Sequence, residues 1–416
     1  MKNIHYQLLK PFFQKLNFLS AMLMAFWLPI ERTFFPIAIW IWIGTWILEG
    51  DLRKKLKHSF NNKYHKSIFI IVCIFYAIHI IGLLHTENIS KGMVDLQLKI
   101  IMLLFVIAMA GLNEFYKKKP YHIPASFLSG TFVISLITLI IGIIKGFSNL
   151  SPNIQNLNFI HHTYISMYVN FSVILSFYFF EKHIIIKPRG IWLIITVFFG
   201  MVIWLLQSRA GIIIYALTII SWIIYKSQKL NYLKFFSLSL IVIILGMSIF
   251  FISKNKRFEP ILNMISNYSY SQQKTTVKKN IPIRIKIWNS SFNIIQKNWL
   301  IGVGTGDVKK ELIKIYESKG YWVCYANHFN THNQFLGTFV KLGIIGFILL
   351  IFMIFVPLYY SIKRKYYLLT GFLFLIIFYW LIESMLLRLS GIAFFVLFYN
   401  YLIFNDYHLK QQRLEF

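Results

Sequence analysis

The chain has 416 residues, 57% of them hydrophobic and 14% charged, an apolar share above the roughly 45 to 50% of soluble domains, so an ordinary soluble fold is excluded. The formal charge of +29 does not point to nucleic acid, because Lys and Arg fall in short clusters between apolar runs instead of on one face or stripe. Cys73 inside an apolar run and Cys324 in a polar stretch imply no disulfide framework.

The first apolar run begins near Asn17 behind Lys2, Lys10 and Lys15. It lacks a small-x-small cleavage site and is followed at once by a second run, so it reads as a retained transmembrane helix and not a cleaved signal. A span needs about 20 apolar residues to cross about 30 Å of hydrocarbon. That ruler predicts an all-α integral membrane protein of about 12 transmembrane helices, at 16–30, 33–49, 67–84, 97–112, 125–145, 163–180, 191–206, 211–225, 233–252, 334–360, 366–382 and 388–404. Trp40, Trp42, Trp46, Trp192, Trp204 and Trp222 gather near the ends of these runs, where amphipathic rings sit at the headgroups. Basic residues alternate by loop: Lys54, Lys55 and Lys57 after the second run, Lys117 to Lys119 after the fourth, Lys182 after the sixth, Lys226 after the eighth, Lys363 to Lys365 after the tenth. By the positive-inside rule both termini are cytoplasmic.

The same parity places the one long polar segment, 253–333, on the outer side between spans 9 and 10. The organisation expected is a membrane domain over 1–252, an outer loop over 253–333, and a membrane domain with a cytoplasmic tail over 334–416. Within the loop Trp288, Phe292, Ile295 and Trp299 recur at helical spacing after Pro282, predicting an amphipathic helix over 284–299 whose apolar face lies on the membrane or the bundle. A second helix is predicted from Val308 to Lys319, with Asp307 as N-cap and Gly320 as its stop.

Four outward positions could carry chemistry. Arg209 sits in a four-residue connection where a guanidinium opposes the charge bias of the other short outer loops; it is either a snorkelling anchor or a bidentate phosphate partner. Arg284 stands among Lys274, Lys278, Lys279 and Lys286, so alone it reads as a solvated loop charge. His332 beside Asn333 is an interfacial histidine next to a helix cap, or a base able to take a proton from a sugar hydroxyl. The pair His161-His162 reads as interfacial, with a place on the same cavity as its alternative. Gly302-Val303-Gly304-Thr305-Gly306 lacks the Gly-Lys-Ser/Thr of a nucleotide loop and reads as a tight turn bringing the loop to the bundle. Cys324, His328 and His332 have i, i+4, i+8 spacing, but Asn327 and Asn330 argue against a helix and no carboxylate joins them, so no metal is expected.

Ser208-Arg209, then Arg284-x-x-x-Trp288, then Gly302-x-Gly304-x-Gly306, then His332-Asn333 followed by Gly343 and Gly346 together resemble the O-antigen ligase and polymerase family of bacterial envelope-polysaccharide enzymes. The resemblance covers roughly 190–350 by motif and the rest by hydropathy. It implies a fold like that of polyprenyl-phosphate-dependent membrane glycosyltransferases in a bacterial inner membrane, with the active site periplasmic. It further implies that Arg209 and Arg284 bind the pyrophosphate of an undecaprenyl-pyrophosphate-linked glycan, and that His332 acts on the acceptor hydroxyl. His161, His162 and Asn333 are secondary candidates for binding donor or acceptor. The expected reaction is ligation to lipid A core, inverting and metal-independent, with no cofactor. The alternative is a polymerase joining lipid-linked repeat units. A transporter and a structural scaffold are the rivals from other classes; against the first, Lys99, Lys341, Glu383 and Arg388 are expected near span ends, not at the midplane.

Overall fold

The computed structural model describes residues 2–31, 33–146, 160–182, 188–229 and 282–405. Helices α1 (Lys2–Trp27), α2 (Phe34–Leu48), α3 (Leu52–Phe60), α4 (Lys63–Ile81), α5 (Ile89–Ala110), α6 (Glu114–Lys118) and α7 (His122–Lys145) form the first part. They are followed by α8 (His162–Lys182), α9 (Gly190–Leu205) and α10 (Arg209–Lys229). Beyond these come α11 (Ile283–Lys297), α12 (Val308–Ser318), α13 (Trp322–Ala326), α14 (Gln334–Lys363), α15 (Tyr367–Ile382), a 3₁₀ turn (Met385–Leu387) and α16 (Leu389–Phe404). Local sequence explains many starts. Asn62, Asn88, Asn113 and Asn333 each accept a backbone N–H in the first turn of the helix that follows, satisfying donors that the helix itself leaves unpaired.

The protein is a multi-pass, membrane-associated helical bundle, but the expectation of about twelve spans is not met. Among the described residues six helices are both long and apolar enough to cross a bilayer: α4, α5, α7, α8, α10 and α14. Four further apolar helices, α2, α9, α15 and α16, have only 15 or 16 residues, about 24 Å at most at 1.5 Å per residue against about 30 Å of hydrocarbon. Counting apolar runs overestimates spans because a run signals burial, in lipid or in protein. The 26-residue α1 is not among the six, and the run 233–252 lies outside the described residues.

Burial sorts the helices by role. From Gly391 to Phe404 every residue of α16 is buried, and so are most of α8, as expected of helices at the centre of a bundle. Their aromatic rings interlock: Phe171 stands 4.7 Å from Phe398 and 5.3 Å from Phe372, and Phe127 stands 4.8 Å from Phe398. On α14, by contrast, Ile345, Ile348, Phe352, Phe355, Tyr359 and Ile362 form an exposed stripe at helical spacing, which lipid would cover.

One internal group revises the charge expectation. Helix α5 starts at Ile89, ahead of the run at 97, so Lys99 lies in its middle and is 2% exposed. Asp95 Oδ1 accepts from Lys99 Nζ at 2.6 Å and from Lys341 Nζ at 2.7 Å. These charges are buried inside the bundle and partnered, which is how ionised groups persist there.

Candidate active site

Residues of the matched motifs reach one end of the bundle because the segment 282–333 is tied to it by backbone hydrogen bonds. Helices α11 and α12 begin and end within about two residues of their predicted limits, with Gly320 at φ +67° as the stop. Helix α14 is broken at Gly343 (φ +64°, ψ −161°), and the glycine run fills the break. The Val303 and Gly304 amides donate to the carbonyls of Val340 (2.9 Å) and Lys341 (3.0 Å), while Ile344 N–H donates to Trp299 O (2.8 Å). Gly302 must be glycine here: its φ is +73°, and a Cβ would lie 2.5 Å from the Lys341 carbonyl. Thr305 continues the tie, its amide to Gly82 O (3.1 Å) and its hydroxyl to His79 O (2.7 Å). Asp307 does not cap α12 with its side chain; its carboxylate accepts from the amides of Glu87 (2.7 Å) and Asn88 (3.0 Å) at the start of α5. The Gly302–Gly306 run therefore serves packing between backbones, as its turn-like reading anticipates.

The histidine segment is seated residue by residue on the turn between α15 and α16. Thr331 Oγ1 lies 2.9 Å from Ser384 Oγ, Asn333 Nδ2 donates to Leu381 O (3.2 Å), and Gln334 Oε1 accepts from Leu386 N–H (2.8 Å). Between them His332 Nδ1 meets Glu383 Oε2 at 3.0 Å. Asn330 Oδ1 takes the His332 amide (2.8 Å) and supports its left-handed backbone, φ +42°, a conformation uncommon outside glycine. A carboxylate can only accept, so within this pair Nδ1 is the donor and Nε2 is the ring nitrogen left outside it. Phe329 stands edge-on to the imidazole, ring centres 5.6 Å apart.

Arg284, in the first turn of α11, shares this neighbourhood: it and Glu383 act on each other electrostatically. Burial pushes the Glu383 carboxyl up, but the hydrogen bond and charge of His332, the Ser384 amide and the Arg284 charge outweigh it and hold the carboxyl below its ordinary value. Arg284 is exposed, yet neighbouring atoms desolvate its guanidinium and lower its pKa, with Glu383 opposing that shift. Arg209 opens α10 and is half-buried. Ser208 precedes it and accepts the Gly211 amide at 3.2 Å, capping the helix. His161 and His162 stand at the start of α8 with ring centres 4.2 Å apart, and His161 Nδ1 accepts from Thr163 N–H at 3.3 Å. Thus His332 bonds Glu383 and Arg284 acts on it through its charge; Arg209, His161 and His162 lie at the ends of neighbouring helices; Asn333 acts as cap of α14 and clamp to α15.

Glu383 is the residue that sequence reasoning left without a role. Its signal was a lone carboxylate at the junction of two apolar runs, a costly placement that asks for a partner. Gln334 likewise takes its meaning from the fold, accepting the Leu386 amide with Oε1 while Nε2 donates to Thr338 Oγ1 at 3.0 Å. Cys324, His328 and His332 do not share a helix face, because α13 ends at Ala326 and His328 and His332 have φ of +48° and +42°. Among the described residues no group of three or more His, Cys, Asp or Glu is placed to hold a metal ion.

Residues 194–351 match the family model described as O-antigen ligase. The O-antigen ligase match contains Arg209, Arg284 and His332 and stops before Glu383. It supports an enzymatic role in glycan ligation or polymerisation. The chain is also similar to an uncharacterized protein of Haemophilus influenzae, 25% identical over 321 residues that cover 75% of this chain and 76% of the relative.

Proposed function

We propose that the protein is a glycosyltransferase of the bacterial inner membrane that moves a glycan from undecaprenyl pyrophosphate to lipid A core at the periplasmic face. The observation that carries this reading is the His332–Glu383 pair at 3.0 Å with Arg284 acting on the same carboxylate, in a chain whose residues 194–351 match the O-antigen ligase family. His332 Nε2 takes the proton of the acceptor hydroxyl as its oxygen bonds to the anomeric carbon. The bond from that carbon to the pyrophosphate oxygen breaks, and the electron pair leaves with the phosphate. Arg284 and Arg209 hold the departing charge, which fixed guanidinium donors stabilise without reorganising. Glu383 orients the imidazole and stabilises its protonated form. One displacement inverts the anomeric centre, and the leaving group needs no metal where arginines neutralise it. His161, His162 and Asn333 border donor or acceptor.

Orientation follows from charge. The ends of α8 and α14, opposite those at which His162 and Gln334 stand, carry Lys182 and Lys363 to Lys365, and basic loops stay in the cytoplasm. This pattern supports a candidate site outside and both termini inside. The deciding experiment supplies purified protein and lipid-linked glycan with either lipid A core or a second lipid-linked repeat. Product on lipid A core is expected; a lengthened lipid-linked chain makes the protein a polymerase, and no product with either sinks the reading. Turnover persists in EDTA; loss restored by Mg²⁺ overturns the metal-free chemistry.

A further inference from the structure

The candidate site is divided between two elements. Glu383, which holds His332, ends α15, whereas Arg209 begins α10. For both to act on one bond, the two helix ends must be fixed relative to each other, since an error of about 1 Å in placement costs about 100-fold in rate.

One side chain reaches both. Tyr379 lies in the last turn of α15, and its carbonyl accepts the Glu383 amide at 2.9 Å. Its hydroxyl lies 3.0 Å from Ser166 Oγ and accepts from Asn170 Nδ2 at 3.1 Å. The same Asn170 nitrogen approaches the Ser166 carbonyl at 2.9 Å and the Gly211 carbonyl at 3.2 Å. Gly211 stands two residues beyond Arg209, and its amide is held by the Ser208 cap. A Cβ at Gly211 would lie 1.9 Å from Ser166 Oγ, so α8 and α10 touch at this level. Tyr379, Asn170 and Ser166 are all completely buried. A buried hydroxyl must be hydrogen-bonded or costs its full desolvation, and this one in an aromatic core meets both Ser166 and Asn170.

We propose that Tyr379 is a positioning residue: through Asn170 its hydroxyl fixes the Arg209 end of α10 against the His332–Glu383 end of α15. The role rests on the glycan-transfer reading given above, and the geometry it asserts is testable without it.

Tyr379→Phe keeps the ring and deletes the hydroxyl. With Cys73 and Cys324 replaced by Ser and spin labels at Ile213→Cys in α10 and Leu381→Cys in α15, the distance distribution between the labels broadens in the Phe variant. An unchanged distribution overturns the coupling whatever the protein catalyses. In the transfer assay Tyr379→Phe raises the donor KM about 5- to 10-fold, the effect of one hydrogen bond, while the shape of the pH profile of kcat is unchanged. In an Arg209→Lys background the same substitution changes KM less than about 2-fold, because the group it positions is already lost. Equal losses in both backgrounds assign Tyr379 a general structural role and overturn the proposal. A broadened distribution in a protein that transfers no glycan leaves the coupling standing and removes the reaction.

Discussion

Two clusters in this protein pair one carboxylate with cationic or ionisable neighbours, and they differ in access. At Asp95 two ammonium groups converge on one oxygen at 2.6 and 2.7 Å, with side chains only 3% (Lys99) and 8% (Lys341) exposed. At Glu383 the bonded partner is an imidazole, with the Arg284 charge acting from further off, and the His332 and Glu383 side chains are 26% and 21% exposed. The first group is closed and ties α5 to α14. The second is partly open, and Nε2 of its imidazole takes no part in the pair. Similar charges are thus shut away in one place and reachable in the other, and what separates them is reach to solvent.

The comparison breaks most visibly at His332. His332→Ala lowers transfer by about 10²- to 10⁴-fold, the usual contribution of general acid–base catalysis, while donor binding and thermal unfolding in detergent stay near wild type. Loss of donor binding as complete as in Arg284→Ala would remove the division of roles. Asp95→Ala makes the opposite change. It leaves two buried ammonium groups without their counter-charge and costs about 3–5 kcal/mol of stability, read as lower membrane yield and an earlier melting transition. The triple change Asp95→Leu, Lys99→Leu, Lys341→Met recovers most of that loss if the cluster serves cohesion alone.

Arg209→Lys and Arg284→Lys come next, each reducing turnover by about 10-fold or more, because lysine keeps the charge but not the planar fork that holds two phosphate oxygens. Near-normal turnover in Arg209→Lys would return that residue to a snorkelling anchor. The smallest effect is on pH dependence. Glu383 has a folded pKa below its ordinary value, so its contribution to stability is present above about pH 4.3, the ordinary glutamate value, and is lost as pH falls through the lowered one. Glu383→Gln flattens that acid limb of the unfolding profile by about 1 kcal/mol or less, since the side chain is partly solvated. An identical acid limb in the variant would show that the pair contributes nothing.

The order Arg209, Arg284, His332 was legible because short motifs in a fixed sequence need no knowledge of the fold. Helices α11 and α12 were legible for the same local reasons, a proline start, helical periodicity and a glycine stop. Glu383 was not, because its meaning is a contact 51 residues away. Asp307 reads as a cap of its own helix, and only the fold shows that it serves amides 219 and 220 residues earlier. The span count failed for a different reason. Hydropathy reports that a run is kept from water, and α15 and α16 are kept from it largely by other helices.

The break in α14 has a consequence for synthesis. Two carbonyls and one amide of that helix bond to residues 299–304 of the preceding segment. Those residues in turn find their partners only after Ile344 has been made, 40 positions beyond Gly304. At about 5–20 residues per second the ribosome takes about 2–8 s to add that stretch. During this interval Trp299, Val303 and Gly304 lack their partners in α14, whereas Thr305 has Gly82 and His79 already made. The two segments therefore mature as one unit, and a change that delays either of them leaves both incomplete.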